Sequence, residues 1–100
     1  MTNPVTLVFS LIIIAAGTQP LKDVSVAYSN CTTRGAHDLD DGRASAESIA
    51  QRVADRCETE YRRWVDAIRD QPKPDGLIPS NFAVARQTVI DERTRLGKSN

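Results

Sequence analysis

Two cysteines and a single histidine, Cys31, Cys57 and His37, are the residues of this chain best suited to chemistry. Two thiols can form a disulfide bridge, ligate a metal ion or take part in redox exchange. A redox-active pair favours close C-x-x-C spacing at a helix N-terminus, where the helix dipole lowers the thiol pKa. Here the spacing is wide, and Cys57 falls in the middle of a predicted helix. The pattern therefore favours a structural bridge between Cys31 and Cys57.

The histidine does not complete a metal site or a catalytic site in this pattern. Cys31, His37 and Cys57 match no standard zinc-finger spacing, and an oxidising compartment competes for the same thiols. A cysteine nucleophile with His37 as its base would lack a recognisable oxyanion site. We therefore predict no catalytic residue, no metal site and no cofactor, and we interpret His37 as a solvated surface residue.

The acidic segment HDLDDG, residues 37–42, suggests calcium because carboxylates are the preferred ligands of that ion. With Gly42 at the invariant glycine of an EF-hand loop, His37 and Leu39 occupy positions that need Asp or Asn. Ser48 then stands where the bidentate glutamate belongs. Three ligands are wrong, so we interpret the segment as a polar turn that leads into a helix cap.

The N-terminal segment is apolar and carries no charged side chain. Its apolar run, residues 5–16, is too short for a membrane span, which needs about 17–25 residues. Ala15 and Gly17 provide the small residues that signal peptidase recognises, although no Lys or Arg precedes the apolar run. We predict a signal peptide over residues 1–17 and a small helical domain over residues 18–100. The alternative is an uncleaved apolar anchor over the same N-terminal residues.

Three helices are expected after the apolar segment. The first begins after Pro20 and ends near Gly35, with Cys31 on its apolar face. The second begins at an N-cap, Ser45, and ends near Gln71, and its apolar stripe includes Cys57. Local ion pairs are expected on its polar face: Arg56 with Glu60, Glu58 with Arg62, and Arg62 with Asp66.

The third helix is expected between Ser80 as N-cap and Gly97 as its stop. Its apolar side is predicted to comprise Phe82, Ala85, Val89 and Leu96. No segment alternates with the period of a strand. The predicted fold is therefore all-α, a small helical hairpin or a three-helix domain in which the cysteines of the first two helices can meet.

The segment YSNCTTRGAH, continued by SAESIAQRVADRCETEY, resembles small exported bacterial proteins of unknown function. The resemblance covers residues 28–61. It rests on a helix that ends near a cysteine, followed by a helix in which Ala and Cys recur at helical spacing. It implies an exported, disulfide-linked helical domain and no activity. The acidic loop and the C-terminal helix of this chain have no counterpart in the resemblance.

The chain is neutral, with 13 basic and 13 acidic residues, whereas a nucleic-acid-binding face needs a basic stripe. Trp64, Leu77 and Ile78 form a possible interaction surface for an unknown protein partner. We expect a periplasmic or secreted bacterial protein with a non-enzymatic interaction or structural role in the envelope. The alternatives are a periplasmic inhibitor or accessory subunit of an enzyme, and a membrane-anchored helper if the N-terminal segment is not cleaved.

Overall fold

The computed structural model describes residues 20–71 and 76–97, and in these ranges the chain is all helical, as predicted. The predicted signal segment lies outside the described residues. No helix in the described ranges is both long and apolar enough to cross a membrane. The described elements are four helices: α1 Leu21–Leu39, α2 Ala46–Arg56, α3 Glu58–Arg69 and α4 Asn81–Arg95.

Helix α1 runs antiparallel to the α2–α3 pair, which together correspond to the second predicted helix. Near the C-terminal end of α1, Asp38 pairs with Arg56. Further back along α1, Tyr28 packs its ring against Trp64 of α3. Residue numbers therefore rise along one helix as they fall along the other, which is the arrangement of a helical hairpin.

Helix α4 packs on α1 and α2 and makes the fold a three-helix domain at one end. Asn81 at the start of α4 bonds to Tyr28, and Arg93 at its end bonds to Asp40, so α4 is parallel to α1. The core is assembled mainly from small and β-branched side chains, among which Ile49, Val53 and Val89 are fully buried. Such small side chains allow close helix packing in a short chain.

The two predicted N-caps are confirmed. The hydroxyl of Ser45 accepts a hydrogen bond from the backbone N–H of Ser48 at 3.1 Å, and that of Ser80 accepts from the N–H of Ala83 at 3.0 Å. Each bond satisfies one of the donors that the first turn of a helix leaves without a partner. The stop at Gly97 is also confirmed, because this glycine has φ 73° immediately beyond α4.

Gly35 does not end the first helix, so that prediction is wrong: α1 continues to Leu39. Gly35 is buried inside the helix, where a Cβ atom would lie 3.3 Å from Cγ1 of Val53. The glycine is therefore explained by the close approach of α2 rather than by backbone conformation. The positive φ expected near this point occurs instead at Gly42, in the loop that follows.

Gly35→Leu is expected to lower the free energy of unfolding by about 1–3 kcal/mol, because the added side chain must separate α1 from α2. Urea denaturation of the variant and the parent measures the difference. Ala27→Leu on an exposed part of α1 is the matched control and is expected to leave the midpoint nearly unchanged. Equal midpoints for both variants and the parent would show that the helices are not tightly packed at Gly35.

The second predicted helix is interrupted at Cys57, which adopts φ −104° and ψ 17°. Its backbone N–H bonds to the carbonyls of Val53 and Ala54 at 3.0 and 3.2 Å, which closes α2, and α3 begins at the next residue. The expectation that Cys57 lies in the middle of a helix is therefore wrong. The apolar stripe continues across the interruption, which is why periodicity alone did not reveal it.

The apolar side of α4 is only partly as predicted. Ala85 and Val89 are fully buried, whereas Phe82 is 36% and Leu96 47% exposed. The other buried positions of α4 are polar: Asn81 and Arg93. Helix α4 therefore joins the core through a narrow apolar contact with a polar anchor at each end.

Candidate functional site

The predicted bridge between Cys31 and Cys57 is present and joins α1 to the residue before α3. The sulfur atoms are 2.07 Å apart, and the Cα atoms are 5.9 Å apart, within the range that a disulfide requires. Cys57 is fully buried, whereas Cys31 is half-buried. The bridge therefore presents only one of its two residues to the surface.

An open cleft of about 360 Å³ adjoins the disulfide on the Cys31 side. Two guanidinium groups, from Arg34 and Arg56, lie at this cleft together with the carboxyl of Glu60. Arg56 pairs with Asp38 at 3.3 Å rather than with Glu60, so its predicted partner is wrong. The predicted pair of Glu58 and Arg62 is confirmed at 2.9 Å. The cleft is a polar groove with a disulfide in its wall.

Glu60 lines the cleft with a carboxylate oxygen that is buried. Among the described residues, no group donates a hydrogen bond to its buried Oε2 atom. One of its carboxylate oxygens and the sulfurs of Cys31 and Cys57 all lie within 4.8 Å of one another. A buried acceptor without a donor is costly, and such an atom calls for a ligand or a functional explanation.

Three aromatic rings form a cluster beside the start of α4, where Asn81 bonds to the hydroxyl of Tyr28. Tyr28 is buried between Tyr61 and Trp64, with ring centroids 5.5 and 5.3 Å away. Burial raises the pKa of the Tyr28 hydroxyl. Trp64 is half-buried. Part of the Trp64 ring therefore packs within the hairpin, and part of it lies at the surface.

The remaining members of the predicted interaction surface lie on the connection before α4. Leu77 is 99% exposed and Ile78 is half-buried. The hydroxyl of Tyr61 donates a hydrogen bond to the carbonyl of Pro79 at 2.8 Å, which holds this connection beside the aromatic cluster. Tyr61 thus links the connection that carries Leu77 and Ile78 to Trp64, whose ring centroid is 6.1 Å from that of Tyr61.

Asn81 is a buried polar anchor that sequence reasoning missed. Its Oδ1 accepts a hydrogen bond from the hydroxyl of Tyr28 at 2.7 Å. Its amide nitrogen donates to the carbonyl of Ala54 at 2.7 Å and to Oε2 of Glu58 at 3.0 Å. One side chain therefore ties α4 to α1, α2 and α3 at the point where the second helix is interrupted. The only sequence signal was a polar residue directly after a predicted N-cap.

Asn81→Ala is expected to cost about 2–4 kcal/mol of stability, since it leaves the buried groups of Tyr28 and Ala54 without this partner. Thermal unfolding followed by circular dichroism measures the loss. Ser80→Ala, which removes only the neighbouring cap, is the comparison variant and is expected to cost about 1 kcal/mol. A smaller effect for Asn81→Ala than for Ser80→Ala would contradict the anchoring role.

The acidic loop also has a structural role. Asp40 accepts hydrogen bonds from Nε and Nη2 of Arg93 at 2.8 and 2.9 Å, and Arg93 also donates to the carbonyl of Ala44 at 2.7 Å. Both charged side chains are more than nine-tenths buried. Asp41 accepts from two following backbone N–H groups, which lowers its pKa. His37 is exposed, as expected.

These features define a small helical protein that is held by one disulfide between two helices and by polar anchors at both ends of a third helix. Comparisons of the chain with protein-family models, curated protein sequences and solved structures find no match. The candidate sites are accordingly two: the disulfide with its cleft, and the exposed apolar end that carries Leu77.

Proposed function

We propose that this chain is an exported bacterial protein that acts in the periplasm or outside the cell by contact with a protein partner and not by catalysis. The observation that carries the proposal is the closed bridge between Cys31 and Cys57. Disulfides persist in oxidising compartments and are rare in the reducing cytosol. The apolar N-terminal segment supports the same compartment, because it has the length and cleavage pattern of a signal peptide.

The partner surface in this proposal is the end of the hairpin that includes Trp64, Leu77 and Ile78. Exposing a leucine almost completely gives no folding benefit, so its side chain is free for contact with another molecule. The half-buried ring of Trp64 offers the kind of large aromatic contact that protein interfaces favour. A protein partner with an apolar surface of matching size fits these side chains.

Intact mass spectrometry of the protein produced in a bacterial host, before and after reduction with alkylation, tests the compartment. The proposal predicts loss of residues 1–17 and no alkylation of either cysteine before reduction. A photo-crosslinking side chain at position 77 then tests the contact, with position 26 on α1, where Val26 is 50% exposed, as the control. A retained N-terminal segment contradicts cleavage and favours an anchored form. Equal crosslinking at both positions contradicts the proposed surface.

Leu77→Ser is expected to leave stability within about 0.5 kcal/mol of the parent while it abolishes crosslinking from the neighbouring position 78. The physical reason is that the side chain is 99% exposed and contributes no buried area to folding. Chemical denaturation and crosslinking of the same preparation provide the two measurements. A large loss of stability would show instead that Leu77 packs against the protein itself.

A further inference from the structure

The structure also places three metal-binding side chains together, at the wall of the cleft. We propose that after reduction of the disulfide Cys31, Cys57 and Glu60 bind a zinc-class divalent ion through two thiolates and one carboxylate oxygen. The proposal goes beyond an exported role with a structural bridge, because it concerns the reduced protein. It rests on the position of three donor atoms within 4.8 Å of one another.

The backbone geometry suits both the bridge and the metal site. Zinc binds thiolate sulfur at about 2.3 Å and carboxylate oxygen at about 2.0–2.2 Å, which separates the donors of a tetrahedral site by roughly 3.5–4 Å. The Cα atoms of Cys31 and Cys57 are 5.9 Å apart. Once the S–S bond is broken, rotation of the two side chains can open the sulfurs to that separation without moving the helices.

Glu60 is suited to the third position for a reason independent of the sulfurs. Its buried Oε2 atom accepts no hydrogen bond from the described residues. A bound cation would therefore offset the cost of burying this oxygen without a hydrogen-bond donor. Two thiolates, one carboxylate and a divalent ion together carry a single negative charge. Arg34 and Arg56 at the same cleft offset that charge.

The cleft leaves the fourth position of such a site open. Cys31 and Glu60 both line it, so an ion reaches the sulfurs from the solvent side, and water completes a tetrahedral site.

A dithiol is the reductant that opens the Cys31–Cys57 bond in this proposal. The dithiol gives two electrons and two protons to the bridge, becomes a disulfide itself, and leaves Cys31 and Cys57 as thiols. Binding of the divalent ion then displaces both thiol protons into solvent. Exchange with a second disulfide compound, which takes up two electrons and two protons and becomes a dithiol, re-forms the Cys31–Cys57 bond and releases the ion. The bridge and the metal site are therefore mutually exclusive states of the same two residues.

Titration of the purified protein with Co²⁺ tests the site, because thiolate ligation of this ion gives a near-ultraviolet charge-transfer absorption. The reduced protein is expected to bind one Co²⁺ with that absorption and to release it to Zn²⁺, whereas the oxidised protein shows none. Glu60→Gln is expected to weaken binding to the reduced protein by about tenfold or more. Glu47→Gln, an exposed glutamate on α2, is the matched control and keeps the parental affinity.

Circular dichroism of the same samples keeps the test decisive if reduction unfolds the chain. In that case stoichiometric Zn²⁺ is expected to restore the helical signal in the parent and less effectively in Glu60→Gln. Absence of the charge-transfer band in the reduced parent overturns the proposal. So does equal affinity of the parent and Glu60→Gln. Neither outcome bears on export or on the oxidised bridge, which intact mass measures separately.

Discussion

Removing the disulfide, by combining Cys31→Ser with Cys57→Ala, is expected to lower the free energy of unfolding by about 3.5 kcal/mol. The bridge links residues 26 positions apart, and opening it restores chain entropy to the unfolded state. The serine suits the half-buried position and the alanine the fully buried one. Because small domains are stabilised by only about 5–15 kcal/mol in total, this loss is large. Urea denaturation monitored by circular dichroism measures it.

Reduction of the parent protein in metal-free buffer provides the control for side-chain changes. If the bridge acts through the unfolded state, reduced parent and double variant should have similar unfolding midpoints, both well below that of the oxidised parent. Addition of reductant should leave the double variant unchanged. A difference of less than about 1 kcal/mol between oxidised and reduced parent would show that the helices are held without the bridge.

The parts of the fold that the sequence predicted are those governed by local patterns. Ser45 and Ser80 precede apolar periodicity, and an N-cap depends on its own first turn. Cys31 and Cys57 could be paired because both lie on apolar helical faces and no other cysteine competes. The all-α class follows from the same periodicity.

The features that sequence reasoning missed depend on contacts between helices. Gly35 has the residue type of a helix stop, and only the approach of Val53 shows why it lies inside α1. Asn81 and Arg93 are polar types that are usually exposed, and their burial depends on partners far away in the chain. Periodicity treats such positions as solvent-facing, so the anchors of α4 had no local signal.

The cleft was missed for a related reason. With Cys57 assigned to the interior of one long helix, Glu60 belonged to a polar face and was paired with Arg56. In the structure Arg56 pairs with Asp38 of α1 instead. The carboxyl of Glu60 is then left beside the sulfurs. Periodicity alone therefore gives no signal that this glutamate lies in a cluster with the two cysteines.

Arg93→Met is expected to destabilise the protein by about 3–5 kcal/mol, because it leaves the carboxylate of Asp40 buried without the guanidinium. The two side chains are only 5% and 8% exposed, and the arginine makes two hydrogen bonds to Asp40. Methionine keeps most of the volume, so the loss reports charge and hydrogen bonding rather than a cavity. Arg95→Met, in which an arginine with a 61% exposed side chain is changed, should leave stability nearly unchanged.

Combining Arg93→Met with Asp40→Leu separates the cost of removing the guanidinium alone from the net contribution of the Asp40–Arg93 pair to stability. Replacing both partners of a buried ion pair by apolar residues is often neutral or stabilising, whereas removing one partner is strongly destabilising. The double variant is therefore expected to recover at least half of the stability that Arg93→Met loses. The loss in Arg93→Met should also be insensitive to salt, since buried pairs are poorly screened. No recovery in the double variant would mean that Arg93 stabilises α4 chiefly through its bond to the carbonyl of Ala44.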